Sequence, residues 1–289
     1  MKRRFLTLLT AAVAVFASCN SSNTLVPDNI GPDVSGIPEL PADPQPGSTN
    51  FNHRIMLLQH TGTYCPNCPN LMSSLKEVAQ DNGYNDRYVH VASHSYNQEG
   101  DAAYSDAAAK ISQAFCSGYY PELTFNLTTE STGTSIAAGT IKEKIDVLHK
   151  GSADVGITAA AKIENGSMYV HTEIKAAKEN IYRITVWVLE DGIESEQMGA
   201  KEDWQHIHNN ALRAMVGESL NLKIYGAKMD RMSPGDKKSK GFSIKLEDEW
   251  NPENCKALII VNAADQEGKY DVANCIICPA GESVTYDYK

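Results

Sequence analysis

Two cysteines separated by two residues, Cys65 and Cys68, lie between an apolar run and an amphipathic pattern in this chain. The apolar run, residues 55–58, predicts a buried strand, and the apolar residues that recur at helical spacing after Pro69 predict a helix. A cysteine at the start of a helix lies among unpaired backbone N–H groups, at the positive end of the helix dipole. Both favour the thiolate, which is the reactive form, so the pattern predicts a redox-active dithiol.

The N-terminus predicts export. Residues 1–18 combine a basic start, a short apolar run and small residues before Cys19. This is the pattern of a secretory signal peptide, and the run is too short to remain as a membrane span. A cysteine directly after Ala17-Ser18 resembles the bacterial lipobox, which predicts cleavage before Cys19 and lipidation of that residue; an ordinary signal peptide is the alternative. Disulfides persist in the compartment that such a chain reaches.

The charge of the chain limits its partners. Cleavage of the signal removes three positive charges, Lys2, Arg3 and Arg4, and shifts the formal net charge from −10 to −13. An acidic protein of this kind repels phosphate backbones and anionic lipid surfaces. We therefore expect no nucleic-acid partner, and we expect contact with the membrane only through the lipid anchor.

Composition divides the rest of the chain into three stretches. Residues 19–50 hold six of the 12 prolines and predict an extended tether that buries too little surface to fold. Residues 51–150 alternate strand and helix signals, which predicts an α/β domain. Residues 151–289 contain short alternating strands and turn signals such as Asn165-Gly166, which predicts an all-β antiparallel sandwich.

Four stretches resemble the Omp28-related outer-membrane lipoproteins of the Bacteroidetes: residues 57–69, 89–94, 118–121 and 204–213. The resemblance implies a thioredoxin-like α/β domain followed by an immunoglobulin-like β-sandwich. It also implies a protein attached by its lipid to the outer membrane, on the periplasmic or the cell-surface face. It covers both predicted domains and implies fold and location more than activity.

In such a fold Cys65 is the predicted nucleophile and Cys68 the resolving cysteine. Pro121 is predicted to be the cis-proline that thioredoxin-like folds place opposite the redox loop, with a trans-proline turn as the alternative. Asn67 is neutral and Glu122 is expected to raise a nearby thiol pKa, so we expect a modestly activated thiol. A structural disulfide without turnover is the alternative for the cysteine pair.

Four more cysteines follow. Cys116 is expected to be a small buried apolar side chain, although a disulfide elsewhere or a third thiol near the site is an alternative. Cys275 and Cys278 repeat the two-residue spacing in a β region, where residues three apart point to opposite faces, so we predict no redox role for them. We predict one structural disulfide from Cys255 to either of these two.

No metal or other cofactor is expected. His206 and His208 lie two apart, and a zinc site with Cys275 and Cys278 is the alternative to a disulfide there. An oxidising compartment favours the disulfide. His60 and His94 are expected to be hydrogen-bonded histidines at strand ends.

Two functions fit these patterns. The first is an envelope thiol–disulfide oxidoreductase that acts on cysteine-containing exported proteins. The second is a non-catalytic surface lipoprotein that uses both domains to bind a protein or a glycan. The cysteine pair favours the first function, and the large β region favours the second. The fold alone does not decide between them, because one fold hosts many functions.

Overall fold

The computed structural model describes residues 37–133, 135–216 and 223–289. In this part of the chain most regular structure is β, with three α-helices and fourteen strands. The predicted signal peptide, Cys19 and the first part of the predicted tether lie outside it. No helix in the described ranges is long and apolar enough to cross a membrane.

Strands and helices alternate in the first half of the chain. The elements are β1 Ile55–Thr61, α1 Cys68–Ala79, β2 Tyr88–His94, α2 Asp106–Phe115, β3 Glu122–Phe125 and α3 Ala138–Leu148. β1 pairs in parallel with β2 and antiparallel with β3. Because side chains alternate along a strand, one face of β1 packs on α1 and α3 and the other packs on α2.

The second half is built almost entirely from strands. They are β4 Val155–Glu164, β5 Ser167–Ala176, β6 Asn180–Glu190, β7 Ile193–Glu194, β8 Ile207–His208, β9 Ala211–Val216, β10 Ala227–Met232, β11 Lys237–Lys245, β12 Cys255–Ala264, β13 Tyr270–Pro279 and β14 Ser283–Val284. Asn165 and Gly166 both have positive φ and form the turn between β4 and β5, as their sequence predicts.

Two large open sheets and one two-stranded sheet, β7-β8, organise the strands of the described chain. One has four strands in the order β11-β5-β4-β14. The other has eight: the order β13-β12-β6-β9-β2-β1-β3, with β10 paired to β6. A large core fills the space between the sheets, with side chains such as Ile157, Val170, Val186 and Ile259 fully or almost fully buried. Each such side chain contributes roughly 1.5–3 kcal/mol by leaving water.

The larger sheet runs across the predicted domain boundary at residue 150. The connection is narrow, because a single parallel bridge between Ala92 and Ala211 joins β2 to β9. The N–H of Ala92 donates to the carbonyl oxygen of Asn210 at 2.9 Å at the same point. The division into two domains stays a prediction, and the β-rich half is hydrogen-bonded directly to the half that carries Cys65.

The last part of the predicted tether is fixed to the smaller sheet. Lys175 is buried, and its Nζ donates to Asp43 Oδ2 at 3.2 Å, to the carbonyl oxygen of Pro46 at 2.7 Å and to Tyr288 Oη at 3.0 Å. Burial acts to raise the pKa of Asp43, but hydrogen bonds from Lys237, Tyr288 and Lys175 hold that pKa well below its ordinary value. A buried ammonium group requires such partners, so residues 43–46 are held in place.

Candidate redox site

Cys65 and Cys68 form a disulfide in the loop that connects β1 to α1. Their Cα atoms are 5.4 Å apart. The backbone turns twice here, because Cys65 N donates to the carbonyl oxygen of Gly62 at 3.1 Å and Cys68 N donates to that of Cys65 at 3.2 Å. α1 begins at Cys68, and Pro69 lies in its first turn, where a missing N–H is tolerated. The strand, loop and helix that the sequence predicts are therefore present.

Both sulfur-bearing residues are covered. Cys65 is 1% exposed and Cys68 is 0% exposed. Large apolar side chains are exposed on the segments around the loop instead, namely Tyr64, Tyr96, Tyr119 and Met198. These four side chains, on the loop itself or on segments that contact it or precede Pro121, present aromatic and thioether groups to solvent, and we call them the apolar rim.

Pro121 lies beside this loop. β3 pairs with β1 so that Glu122 is opposite His60, which places Pro121 across from the last residue of β1, Thr61. The Tyr120–Pro121 peptide bond is cis, which agrees with the predicted conformation. The part that this proline plays in binding a partner stays a prediction.

The carboxylate of Glu122 takes its hydrogen bonds from Ser117 rather than from the disulfide loop. Its Oε2 accepts hydrogen bonds from the N–H of Ser117 at 2.6 Å and from the Oγ of Ser117 at 3.0 Å. Burial, with a further effect of Glu122, raises the pKa of the Cys116 thiol to about 11. Cys116, which was expected to be buried, is only half-buried, and it is protonated at neutral pH.

The buried carboxylate of Asp101 forms a hydrogen bond with the backbone of the disulfide loop. Asp101 Oδ2 accepts a hydrogen bond from the backbone N–H of Thr63 at 3.0 Å and lies 3.0 Å from His94 Nδ1. Burial acts to raise the pKa of the Asp101 carboxyl, but the hydrogen bonds from His94, Thr63 and Ala103 outweigh it and lower that pKa. Asp101 carries no sequence signal, since it lies in an irregular stretch after β2.

Two further histidines are held in neutral form. His208 packs edge-on against His94, with ring centroids 4.7 Å apart, and burial lowers its pKa to about 4. His60 lies on the α2 face of the sheet, where Nδ1 is 2.8 Å from Ser112 Oγ and Nε2 is 3.0 Å from Thr124 Oγ1. Burial lowers the pKa of His60 to about 4 as well. Both histidines are therefore structural hydrogen-bonding groups at neutral pH.

Residues 195–206, between β7 and β8, cross over the disulfide loop, and we call them the strap. The side-chain Nε2 of Gln197 lies within hydrogen-bond distance of the carbonyl oxygens of Gly62 at 3.4 Å, Thr63 at 3.2 Å and Cys65 at 3.1 Å. The backbone N–H of Met198 donates to the carbonyl oxygen of Thr63 at 2.7 Å. A segment from the β-rich half thus fixes the backbone that precedes and includes Cys65.

The second half of the strap, residues 201–206, contacts α1. Gln205 Nε2 donates to the carbonyl oxygen of Pro69 at 2.8 Å, and Lys201 Nζ donates to Asn70 Oδ1 at 2.8 Å. Lys76 Nζ lies 4.0 Å above the ring of Trp204, a cation–π contact. The resemblance at residues 204–213 marked part of this segment, but no sequence signal placed it on the disulfide.

A cavity of about 470 Å³ opens next to the strap, between α1 and β2. Its walls combine apolar and imidazole groups, including Met72, Leu75, His90, His94, Trp204 and His208. No three His, Cys, Asp or Glu side chains in the described part of the chain are arranged to hold a metal ion.

The predicted structural disulfide from Cys255 does not form, because Cys255, Cys275 and Cys278 are all free thiols. Cys275 faces the core beside β1, whereas Cys255 and Cys278 face the core between the two sheets. On that shared face Ala257, two residues from Cys255, lies opposite Cys278. Burial raises the pKa of these thiols, to about 12 for Cys255 and Cys275 and about 11 for Cys278, so none is a reactive thiolate.

The chain is similar to one family model and to several solved structures. The model described as outer membrane protein Omp28 matches residues 113–279, more than half of the chain. HBP35 of Porphyromonas gingivalis has a similar fold, with a TM-score of 0.64 and 13% identity over 80% of this chain and 78% of that one. A β-glucosidase of Kluyveromyces marxianus, alone and with glucose, aligns at a TM-score of 0.22, with 12% and 14% identity over 56% of this chain and 20% and 19% of those chains.

No curated protein matches the chain. The residues matched by the family model include Pro121 and the whole strap, but Cys65 and Cys68 lie before them. Membership therefore does not itself assign chemistry to the disulfide. The length of the match does assign the family: this chain belongs to the Omp28 outer membrane protein family.

Proposed function

We propose that this protein exchanges thiols and disulfides with cysteine-containing envelope proteins at the Cys65–Cys68 pair. The observation that carries the proposal is the disulfide itself, formed in the loop that leads into α1. Pro121 beside the loop and the exposed apolar rim support it, since a partner peptide requires a surface on which to lie. Residues 51–150 form the thioredoxin-like domain of this proposal, and residues 151–289 form its immunoglobulin-like β-sandwich.

The chemistry is a two-step exchange. A thiolate of the partner attacks Cys65 Sγ, the bond to Cys68 breaks, and Cys68 leaves as a thiolate at the start of α1, where backbone N–H groups favour the anion. The partner's second thiolate then attacks the mixed disulfide and releases Cys65. The partner gains a disulfide, and its two electrons reduce the protein pair.

A stoichiometric reaction with a defined peptide tests this function. The oxidised protein is mixed with a reduced peptide that carries two cysteines, and peptide oxidation is followed by mass spectrometry. We expect one peptide disulfide per protein, unchanged in the Cys116→Ser variant and abolished in the Cys65→Ser/Cys68→Ser double variant. Peptide oxidation at the same rate with the double variant would contradict the proposal.

The lipid anchor belongs to the same proposal. In this proposal Cys19 carries the lipid that attaches the protein to the outer membrane. Metabolic labelling with a radioactive fatty acid tests this step. We expect label in the wild-type protein and none in the Cys19→Ser variant, and equal labelling of both would contradict lipidation at that residue.

A second candidate function is binding of a protein or a glycan, with a disulfide that only stabilises the loop. The burial of both cysteines and the cavity between α1 and the strap favour it. This candidate predicts that the Cys65→Ser/Cys68→Ser variant binds a surface protein or glycan as tightly as the wild type. In the exchange function, capture of a partner requires Cys65.

A further inference from the structure

We infer that the strap is a gate, and that exchange at Cys65–Cys68 proceeds only after residues 197–201 lift from the disulfide loop. The inference deepens the proposed function and rests on it for its biological meaning. The gate itself is a property of the folded chain. The rate at which a small reductant reduces the disulfide reports on the gate even where no protein partner reacts.

The first step of the argument is access. Thiol–disulfide exchange requires a thiolate to reach one sulfur along the axis of the S–S bond. Cys65 is 1% exposed and Cys68 is 0% exposed, so the closed structure offers neither sulfur to a partner. Either the pair does not react, or a covering segment moves.

The second step identifies a segment that lies against the backbone of the loop. Met198 N–H is bonded to the carbonyl oxygen of Thr63, and Gln197 Nε2 contacts that of Cys65. The strap is attached to the rest of the chain by a two-residue ladder in which Ile193 pairs with His208 and Glu194 pairs with Ile207. That ladder does not use the disulfide loop, so the strap can leave the loop while its base stays in place.

The third step concerns the energy of the closed state. The Oε1 of Gln197 and the Oγ1 of Thr63 are buried without a hydrogen-bond partner. An unpaired buried polar atom destabilises the state that buries it, and both atoms regain water when the strap lifts. Opening of a locally unsatisfied segment requires less free energy than global unfolding.

Gly199 shows how closely the strap is fitted to the loop. Its φ is +75°, a conformation that L side chains rarely adopt, and a Cβ there would overlap the carbonyl oxygen of Pro66. A methyl group at this position therefore acts as a wedge between strap and loop. Gly166, in the β4–β5 turn, has φ +72° and nothing within 4 Å of the Cβ position, which makes it a matched control for the backbone conformation alone.

The experiment measures how fast dithiothreitol reduces the disulfide in the full folded protein. Samples are quenched with an alkylating agent, and the peptide that contains Cys65 and Cys68 is quantified by mass spectrometry. We expect Gly199→Ala to be reduced about tenfold faster than the wild type, because the wedge weakens the closed state, and Gly166→Ala to keep the wild-type rate. Equal rates in Gly199→Ala and Gly166→Ala overturn the gate.

A second pair of variants keeps the test independent of the glycine. Lys201→Ala removes the contact with Asn70 from the strap, and Lys162→Ala removes the exposed pair with Glu164 elsewhere. We expect faster reduction only in Lys201→Ala. An unchanged rate in both lysine variants counts against the gate.

The dithiol-peptide assay separates the two proposals. Faster reduction of Gly199→Ala by dithiothreitol without any peptide oxidation supports the gate and rejects the exchange function. The opposite result is also possible to distinguish: the wild type and Gly199→Ala oxidise the peptide at the same rate, and dithiothreitol reduces both at the same rate. That result supports the exchange function and rejects the gate.

Discussion

The side-chain amide of Gln197 and the carbonyl oxygen of Cys65 are joined by a hydrogen bond of 3.1 Å, although 132 positions separate the two residues in sequence. Gln197 belongs to the region that matches the Omp28 family, and Cys65 lies outside it. The loop that carries the disulfide is therefore shaped partly by the β-rich half of the chain. The Nε2 of this one side chain lies within hydrogen-bond distance of three backbone carbonyls of that loop, each of which also accepts from a backbone N–H.

Gln197→Met tests this dependence. Methionine is similar in length but donates no hydrogen bond, so the carbonyls of Gly62, Thr63 and Cys65 lose their shared donor. We expect the free energy of unfolding, measured in urea, to fall by about 1–3 kcal/mol. Gln113→Met, at an exposed position of α2, is the control and should change stability little. Equal effects of the two substitutions would contradict the role of Gln197.

Asp101→Asn tests the support beneath the loop. Asparagine keeps the shape and can still accept from the N–H of Thr63, but it removes the carboxylate that faces His94. We expect a loss of about 2–3 kcal/mol in unfolding free energy, because hydrogen bonds to a buried charged group are strong. Glu164→Gln removes a carboxylate from an exposed pair with Lys162 and should cost less than about 1 kcal/mol. A loss for Asp101→Asn no larger than that control would be the contrary result.

His60 gives the protein a pH dependence of known sign. Burial lowers its pKa from 6.5 to about 4, so the folded protein binds fewer protons than the unfolded chain between these values. Its contribution to stability is complete above pH 6.5 and is lost as the pH falls towards 4. Between pH 7.5 and 4.5 the wild type should lose about 2–3 kcal/mol more stability than His60→Gln. Parallel pH profiles of the two proteins in urea unfolding would refute this assignment.

Local patterns predicted the elements that hold the candidate site. The apolar run before Cys65 forms β1, the periodic residues after Pro69 form α1, and the bond before Pro121 is cis. These features depend on neighbours within a few residues, so the sequence displays them directly. The disulfide between Cys65 and Cys68 belongs to the same group, because its loop is closed by two turns.

Features that depend on distant contacts were not predictable in the same way. Asp101 gains its importance from Thr63 and His94, and Gln197 gains its importance from the loop it covers. The bridge between Ala92 and Ala211 places strands from both sides of the predicted domain boundary in one sheet, yet both residues are ordinary strand alanines. The predicted disulfide at Cys255 was wrong because pairing depends on strand register, which cysteine spacing does not reveal.

The reduction potential of Cys65–Cys68, measured by equilibration with glutathione, tests the central proposal most directly. The proposed exchange function predicts a potential between about −270 and −120 mV, the range of thiol–disulfide oxidoreductases, together with oxidation of the dithiol peptide. A potential below about −300 mV without any peptide oxidation would contradict it, because disulfides of that kind are structural.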